Sequence, residues 1–205
     1  MELDTSKRKC MMALTAPKLF HGAIEMAFAE RGRTLWRIDR LAGRTYLLLV
    51  SDEKPELSHA VKQFGTEGGW ESRNYSPFIE KIREGDRRRF RVTANPVITK
   101  SAGTGERGSV LAHVTTVQQE KWLADRAGRY GFSLSSDEFT AVNSNWYRFR
   151  KGTDPGRTVT FRAVTFEGIL TVTDTELFRD MLCCGLGREK AYGCGLFTVT
   201  GTIDE

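Results

Sequence analysis

Histidine is the side chain best suited to moving protons at neutral pH, because imidazole titrates near 6.5. The chain has three histidines, His21, His59 and His113. His21 falls within Leu19, Phe20, Ala23, Ile24, Ala27 and Phe28, a set with helical spacing. At ~100° per residue those six form one apolar stripe for burial. His21 lies about 110° from the stripe's centre by the same turn angle, beside Lys18 and Glu25 and outside the core. A positioned acid or base is worth roughly 10²–10⁴-fold in rate. Most exposed helical histidines carry no chemistry, so His21 alone is only a candidate. His59 reads as the outer side of a short helix and His113 as a loop residue.

Cations gather later in the chain. Arg148, Arg150, Lys151, Arg157 and Arg162 are set against a single acid, Asp154. Residues 138–150 and 157–172 read as two long strands joined through the turn residues of 151–156. A β-ribbon with a basic tip can straddle phosphates or enter a groove, and arginine forks onto phosphate. The same charges also suit a solvated hairpin whose edge is kept from aggregating. A second run, Arg87, Arg88, Arg89, Arg91 and Lys100, lies mid-chain. Strand alternation places Arg89 and Arg91 opposite Phe90 and Val92.

The third constellation is a loop in which Gly185, Gly187, Gly193 and Gly195 surround Arg188 and Lys190. Glycine lets backbone N–H groups approach a ligand, and such groups beside cations make a phosphate-holding concavity. A helix C-cap followed by a tight turn into a last strand uses the same glycines. Both readings stand at this point.

Other chemistries are excluded more firmly. Cys10, Cys183, Cys184 and Cys194 form no C-x-x-C pair and have no histidine at ligand spacing, so a zinc site is not expected and the thiols read as reduced. Residues 103–108 fit G-x-G-x-x-G, but a dinucleotide site must open a helix at once inside a parallel βαβ unit. Residues 109–113 intervene, so 101–109 reads as a mobile loop. There is no Walker motif, no G-x-S-x-G and no carboxylate cluster for two-metal catalysis; neither metal nor cofactor is expected. The net charge of +5, with a pI near 9.1, suits a polyanionic partner. No apolar run approaches the roughly 20 residues of a membrane span, and the start lacks a secretion pattern, so the cytoplasm is the expected location.

These residues need elements to hold them. Residues 8–14 read as a strand, followed by the His21 helix with Pro17 in its first turn. Strands are expected at 34–40 and 44–50 around Ala42-Gly43, a helix at 57–64 and a strand at 76–82. That is βαββαβ, a ferredoxin-like order. A boundary at 84–86 divides residues 1–85 from 86–205. The second half repeats the order: a strand over 88–99, a helix from Thr115 or Thr116 with a glutamine placed for a capping box, the two long strands, a helix opened by a second capping box at 173–176, the glycine loop and a strand over 196–202. The expected class is α+β, with tandem ferredoxin-like (RRM-like) domains and antiparallel sheets.

Three segments resemble CasE, the CRISPR repeat-processing endoribonuclease family of type I-E Cascade systems. The family pattern F-x-G-x-L-x-V-x-D is matched by Phe166, Gly168, Leu170, Val172 and Asp174. It continues as G-[IL]-G-x-x-K-[AS]-x-G-C-G-L, which Gly185 to Leu196 reproduce in full. Phe90-Arg91-Val92-Thr93-Ala94-Asn95-Pro96 is similar to F-R-L-x-A-N-P, and Leu19-Phe20-His21-Gly22-Ala23-Ile24 to the L-H-x-x-[LI] of the first helix. The resemblance implies metal-independent cleavage of the CRISPR repeat RNA at the base of its stem-loop, leaving a 2′,3′-cyclic phosphate. It implies His21 as catalyst and the hairpin cations Arg148, Arg150, Lys151 and Arg162 on RNA, with Arg157 nearest the scissile phosphate. Arg188, Lys190 and Arg91 are expected to support RNA as well. Some members carry a tyrosine three residues before the histidine; Lys18 stands there, a candidate for stabilising charge. The implied partners are the repeat RNA hairpin, or the mature crRNA, and other Cascade subunits; no membrane is implied.

Two rivals share the fold. A non-catalytic RNA-hairpin-binding module of a ribonucleoprotein would keep the ribbon and the loop. A small-molecule enzyme would need a cofactor motif, and none is present. The RRM aromatic sheet signature is also missing, which disfavours ordinary single-strand stacking.

Overall fold

The computed structural model describes residues 1–30, 32–100, 103, 108–150 and 158–203. Its first sheet is built from β1 (Glu2–Leu3), β2 (Thr34–Leu41) and β3 (Arg44–Ser51), in the order β1-β3-β2. Helices α1 (Arg8–Thr15), α2 (Lys18–Glu25) and α3 (Ser58–Phe64) cover it. β2 and β3 pair without slip from Thr34↔Ser51 to Leu41↔Arg44. Ala42 and Gly43 close that hairpin at φ 50° and 77°, since a two-residue turn matches strand twist only with both residues left-handed. Beyond β1, Leu3 bridges Gly65, while Asp4 N–H donates to the Phe64 carbonyl at 2.8 Å and Thr66 N–H to that of Glu2 at 3.1 Å. This bridge is a fourth strand reduced to one residue. The core beneath includes Phe20, Ile24, Trp36, Leu47 and Phe64.

The second sheet follows α4 (Ser76–Ile79) and contains β4 (Arg87–Ala94), β7 (Phe132–Ser133), β8 (Phe139–Arg150), β9 (Thr158–Val172) and β10 (Phe197–Thr202). Between β4 and β7 come the short strands β5 (Val97–Lys100) and β6 (Ser109–Ala112), then α5 (Thr116–Ala127); α6 (Thr175–Cys184) precedes β10. The order is β10-β4-β9-β7, with β8 continuing along the same edge of β9. Taking β7 and β8 as one interrupted strand, this is again the ferredoxin-like arrangement. Its core includes Phe90, Trp122, Phe166, Phe178 and Phe197.

The structure corrects several expectations. Residues 8–14 belong to helix α1, not a strand. Cys10 and Ala13 are buried while Met11 and Met12 are exposed, the i, i+3 pattern of a helix face. A short apolar run does not separate the two periods, and the strand's place is taken by β1. Residues 76–82 are also not a strand. Pro77 sits in the first turn of α4, where its fixed φ favours a helical start. Ile82 joins the second core, with Phe78 and Ile79 against it. The strand expected over 88–99 stops at Ala94, before Asn95-Pro96. Val97–Lys100 instead pairs with Ser109–Ala112 in a separate hairpin.

Thr115 does form a capping box with Gln118. α6 begins one residue later than expected: Asp174 is its N-cap and accepts from Leu177 N–H at 3.0 Å. Glu176 therefore cannot close a box. The four cysteines are free thiols. Of the loop expected at 101–109, residues 101, 102 and 104–107 lie outside the described residues, and Ser109 instead opens β6. No helix among the described residues is long and apolar enough to cross a membrane.

Candidate active site and RNA interface

Pro17 precedes Lys18–Glu25, and Phe20, Ala23 and Ile24 bury α2 against the first core. That packing turns Lys18, His21 and Glu25 outward. The His21 side chain is 36% exposed, with Nε2 3.6 Å from Glu25 Oε1, beyond hydrogen-bond reach. Lys18 Nζ donates to the carbonyl of Arg150 at 2.6 Å. The outward side of the histidine helix therefore meets the end of β8, from the other half of the chain.

β8 and β9 form a ribbon with unlike faces. Trp146 pairs with Arg162, Arg148 with Thr160 and Arg150 with Thr158. Direct partners share a face, so Arg148, Arg150 and Arg162 line one side. Trp146, 55% exposed, lies under the Arg162 guanidinium at 5.5 Å, and Arg162 Nε donates to Ser144 Oγ at 2.6 Å. The opposite face carries Tyr147, Phe149, Phe161 and Ala163, packed with Cys194, Tyr192 and Ala16. Arg148 and Arg150 point to solvent; one strand step of two residues separates them by roughly 6.7 Å. Lys151 and Arg157 lie outside the described residues.

The glycine loop is built for packing. Gly185 caps α6 at φ 74°, its N–H on the Met181 carbonyl at 2.7 Å. A Cβ there would stand 2.6 Å from Leu35, and one at Gly193 2.9 Å from the Trp36 ring. The loop is thereby pressed onto β2 of the first sheet. Several of its amides are engaged within the protein: Leu186 N–H bonds to the Gly195 carbonyl, Tyr192 and Cys194 N–H to that of Glu189, and Gly195 N–H to that of Thr93 on β4. Lys190 Nζ donates to the carbonyl of Cys184 at 2.7 Å, at the C-terminal end of α6. Burial, then the nearby Arg33 charge, pushes the Lys190 ammonium's pKa down. Gly187 approaches the Trp122 ring, and Arg188 lines a cleft of about 660 Å³ with Asn95, Trp122 and Arg126.

A buried polar junction completes the contact between the halves. Arg37, on β2, is 2% exposed. Its guanidinium holds Asp39 with two bonds of 2.7 Å. It also donates to the carbonyls of Arg91 and Leu196, at 2.7 and 2.8 Å, and to Thr198 Oγ1 at 2.8 Å. Arg91 pairs with Glu167 at 3.0 Å and lies 3.4 Å from Asp39.

The fold thus brings Lys18 to the ribbon end at Arg150, and His21 to Tyr192 on the ribbon's aromatic side, across from Arg148, Arg150 and Arg162. It engages Lys190 and Arg91 in loop and junction contacts, and sets Arg188 in the Trp122 cleft. Sequence reasoning placed Glu25 beside His21 but gave it no role, and passed over Tyr192, Arg37 and Asp39. The alternation of Tyr147 and Phe149 with Trp146, Arg148 and Arg150 was the available sign of a two-faced ribbon.

Known proteins match over nearly the whole chain. A family described as CRISPR associated protein matches residues 1–200. The CRISPR-associated endoribonuclease Cse3 of Thermus thermophilus is 29% identical over 209 residues, covering 96% of each chain. The structure of Thermus thermophilus Cse3 bound to an RNA representing a pre-cleavage complex has a TM-score of 0.80 at 26% identity, over 97% of this chain and 95% of that one. A chain of a CRISPR RNA-guided surveillance complex has the same fold, with a TM-score of 0.70 at 22% identity over 98% of each chain.

Proposed function

This chain belongs to the CRISPR associated protein family, and from that premise we propose that it is the endoribonuclease that cuts CRISPR precursor RNA at the base of the repeat stem-loop. The observation that carries this is the Lys18–Arg150 bond. It seats the histidine helix at the end of a two-stranded ribbon with a cationic face. A proton-transfer group and a phosphate-binding surface thus meet at one edge. The similarity to an RNA-bound endoribonuclease supports the same reading.

The reaction is transesterification within the RNA. The ribose O2′ attacks the adjacent phosphorus, the bond from phosphorus to O5′ breaks, and a 2′,3′-cyclic phosphate and a 5′-hydroxyl result. The O2′ proton must leave and O5′ must gain one. His21 is the group that moves protons, and its 36% exposure leaves room for RNA. Lys18 adds positive charge one helical turn away, and Arg157 is the candidate at the scissile phosphate. Charge directed at a developing phosphorane is the larger electrostatic contribution expected of such a site. Arg148, Arg150, Lys151 and Arg162 hold the stem; A-form RNA is read chiefly by shape and backbone. Arg188, exposed at the Trp122 cleft, offers RNA a further cation, while Lys190 and Arg91 support binding by shaping the loop and the junction beneath it. The chemistry calls for no metal. Residues 1–85 and 86–205 act as the two domains, with α4 of the first resting on the core of the second. The product stays bound, and the protein is a cytoplasmic Cascade subunit.

His21→Ala tests this. Cleavage of the cognate stem-loop should vanish while RNA affinity is retained. The wild-type reaction should persist in EDTA and yield a cyclic-phosphate end. Undiminished cleavage by the variant removes His21 as catalyst, and loss of activity in EDTA refutes the metal-independent route.

A further inference from the structure

We propose that Tyr192 is a positioning residue that carries the seating of the β8–β9 ribbon into the orientation of His21. The inference rests on the reading of His21 as the proton-transfer group and adds what aligns it.

His21 lacks a polar orienter among the described residues. Its contact with Glu25, at 3.6 Å, is too long to fix an imidazole plane. A half-exposed ring on a helix surface then depends on packing for its rotamer. The aromatic ring against it is Tyr192, at 6.4 Å between centroids and 75° between planes. Edge-to-face contact at this separation is a preferred aromatic geometry.

Tyr192 is itself held by the ribbon. It stacks on Phe161 at 5.8 Å and 22°, and Phe149 stands edge-on to it at 5.0 Å and 76°. Phe161 in turn stacks on Tyr147 at 5.2 Å and 16°. Tyr147, Phe161 and Tyr192 therefore form one column of rings ending at His21. The backbone of Tyr192 is fixed as well, its N–H bonded to the Glu189 carbonyl at 2.9 Å. The next residue, Gly193, has φ 84° and lies against Trp36.

The ribbon's two faces join these facts. Arg148, Arg150 and Arg162 alternate with Tyr147, Phe149 and Phe161 along the same two strands. A strand cannot shift its cationic face onto RNA without shifting the aromatic face behind it. The Lys18 bond to Arg150 ties the start of α2 to the same ribbon end. RNA that seats the arginines therefore also sets the column, and the column sets the imidazole.

The test uses the full chain with a cognate stem-loop RNA, Tyr192→Leu and Tyr192→Phe. Tyr192→Leu removes the ring and should slow single-turnover cleavage by about 10²-fold, the cost of a misplacement near 1 Å. Its affinity for a stem-loop carrying a 2′-deoxyribose at the scissile position should stay at the wild-type value. Tyr192→Phe keeps the ring and should restore the rate. The His21 Cε1–H resonance, assigned with His21→Ala, should move in the leucine variant and hold in the phenylalanine one. If Tyr192→Leu does not fold, Tyr192→Met keeps the volume without the ring and carries the same expectations. Wild-type cleavage by the ringless variant overturns the proposal. A Tyr192→Phe rate as low as that of Tyr192→Leu also overturns it, by assigning the effect to the hydroxyl. Affinity that falls in step with rate overturns it by making Tyr192 a binding residue. Inactive His21→Ala beside fully active Tyr192→Leu defeats this inference alone, whereas active His21→Ala defeats the catalytic reading beneath it.

Discussion

Replacing Arg37 by Met should unfold the contact between the two halves more readily than any surface change. The guanidinium is 2% exposed and makes five hydrogen bonds, two of them to Asp39. Methionine keeps much of the stem but supplies no donor. The Asp39 carboxylate, 4% exposed, is then left with Arg91 Nε at 3.4 Å as the nearest ion-pair partner. Removing one member of a buried pair costs about 3–5 kcal/mol, because the other charge stays out of water. At roughly 2–4 °C per kcal/mol for a chain of this size, the melting temperature should fall by about 6–20 °C. Urea unfolding with a wild-type slope would give the same loss as a shift in midpoint. Arg37→Met combined with Asp39→Leu removes both charges and should recover part of the loss, since an apolar replacement of a buried pair is often neutral. A single variant within about 1 kcal/mol of wild type would place the pair with surface ion pairs and refute the reasoning. A double variant less stable than the single one would refute it too.

Arg148→Ala with Arg150→Ala should weaken RNA binding and reduce the slope of log affinity against log salt by about 1.4–1.8, at 0.7–0.9 per phosphate contact. An unchanged slope, measured by fluorescence titration, would remove this face from the RNA site. Gly193→Ala should destabilise the protein by at least about 1–2 kcal/mol, the cost of a left-handed L-residue, because the new methyl would also meet Trp36 at 2.9 Å. Chemical denaturation reads this directly, and an unaffected variant would show that the loop can move off β2.

Several features were legible in the residues themselves. The hairpin at Ala42-Gly43 and the α5 capping box depend on neighbours a few positions apart. So did the outward placement of Lys18, His21 and Glu25, which follows from helical period alone. The motif from Gly185 to Leu196 marked where the C-terminal loop lies. The short apolar runs at 8–14 and 76–82 were not legible as helices, because both periods fit so few residues.

What the residues determined was local: which segments repeat at 2.0 or 3.6, where turns fall, and which side chains lie off the buried stripe. Tertiary structure decided the partnerships. Gly185 and Gly193 read as turn glycines of a basic loop until Leu35 and Trp36, far away in sequence, are seen against them. Arg37 is an unremarked position in the strand expected at 34–40 until the carbonyl of Leu196 meets it. Tyr192 reads as a variable position within a motif until its ring stands beside His21. The reason is physical. Dihedral preference and periodicity act between near neighbours, whereas burial, charge pairing and ring contact depend on what the fold places opposite.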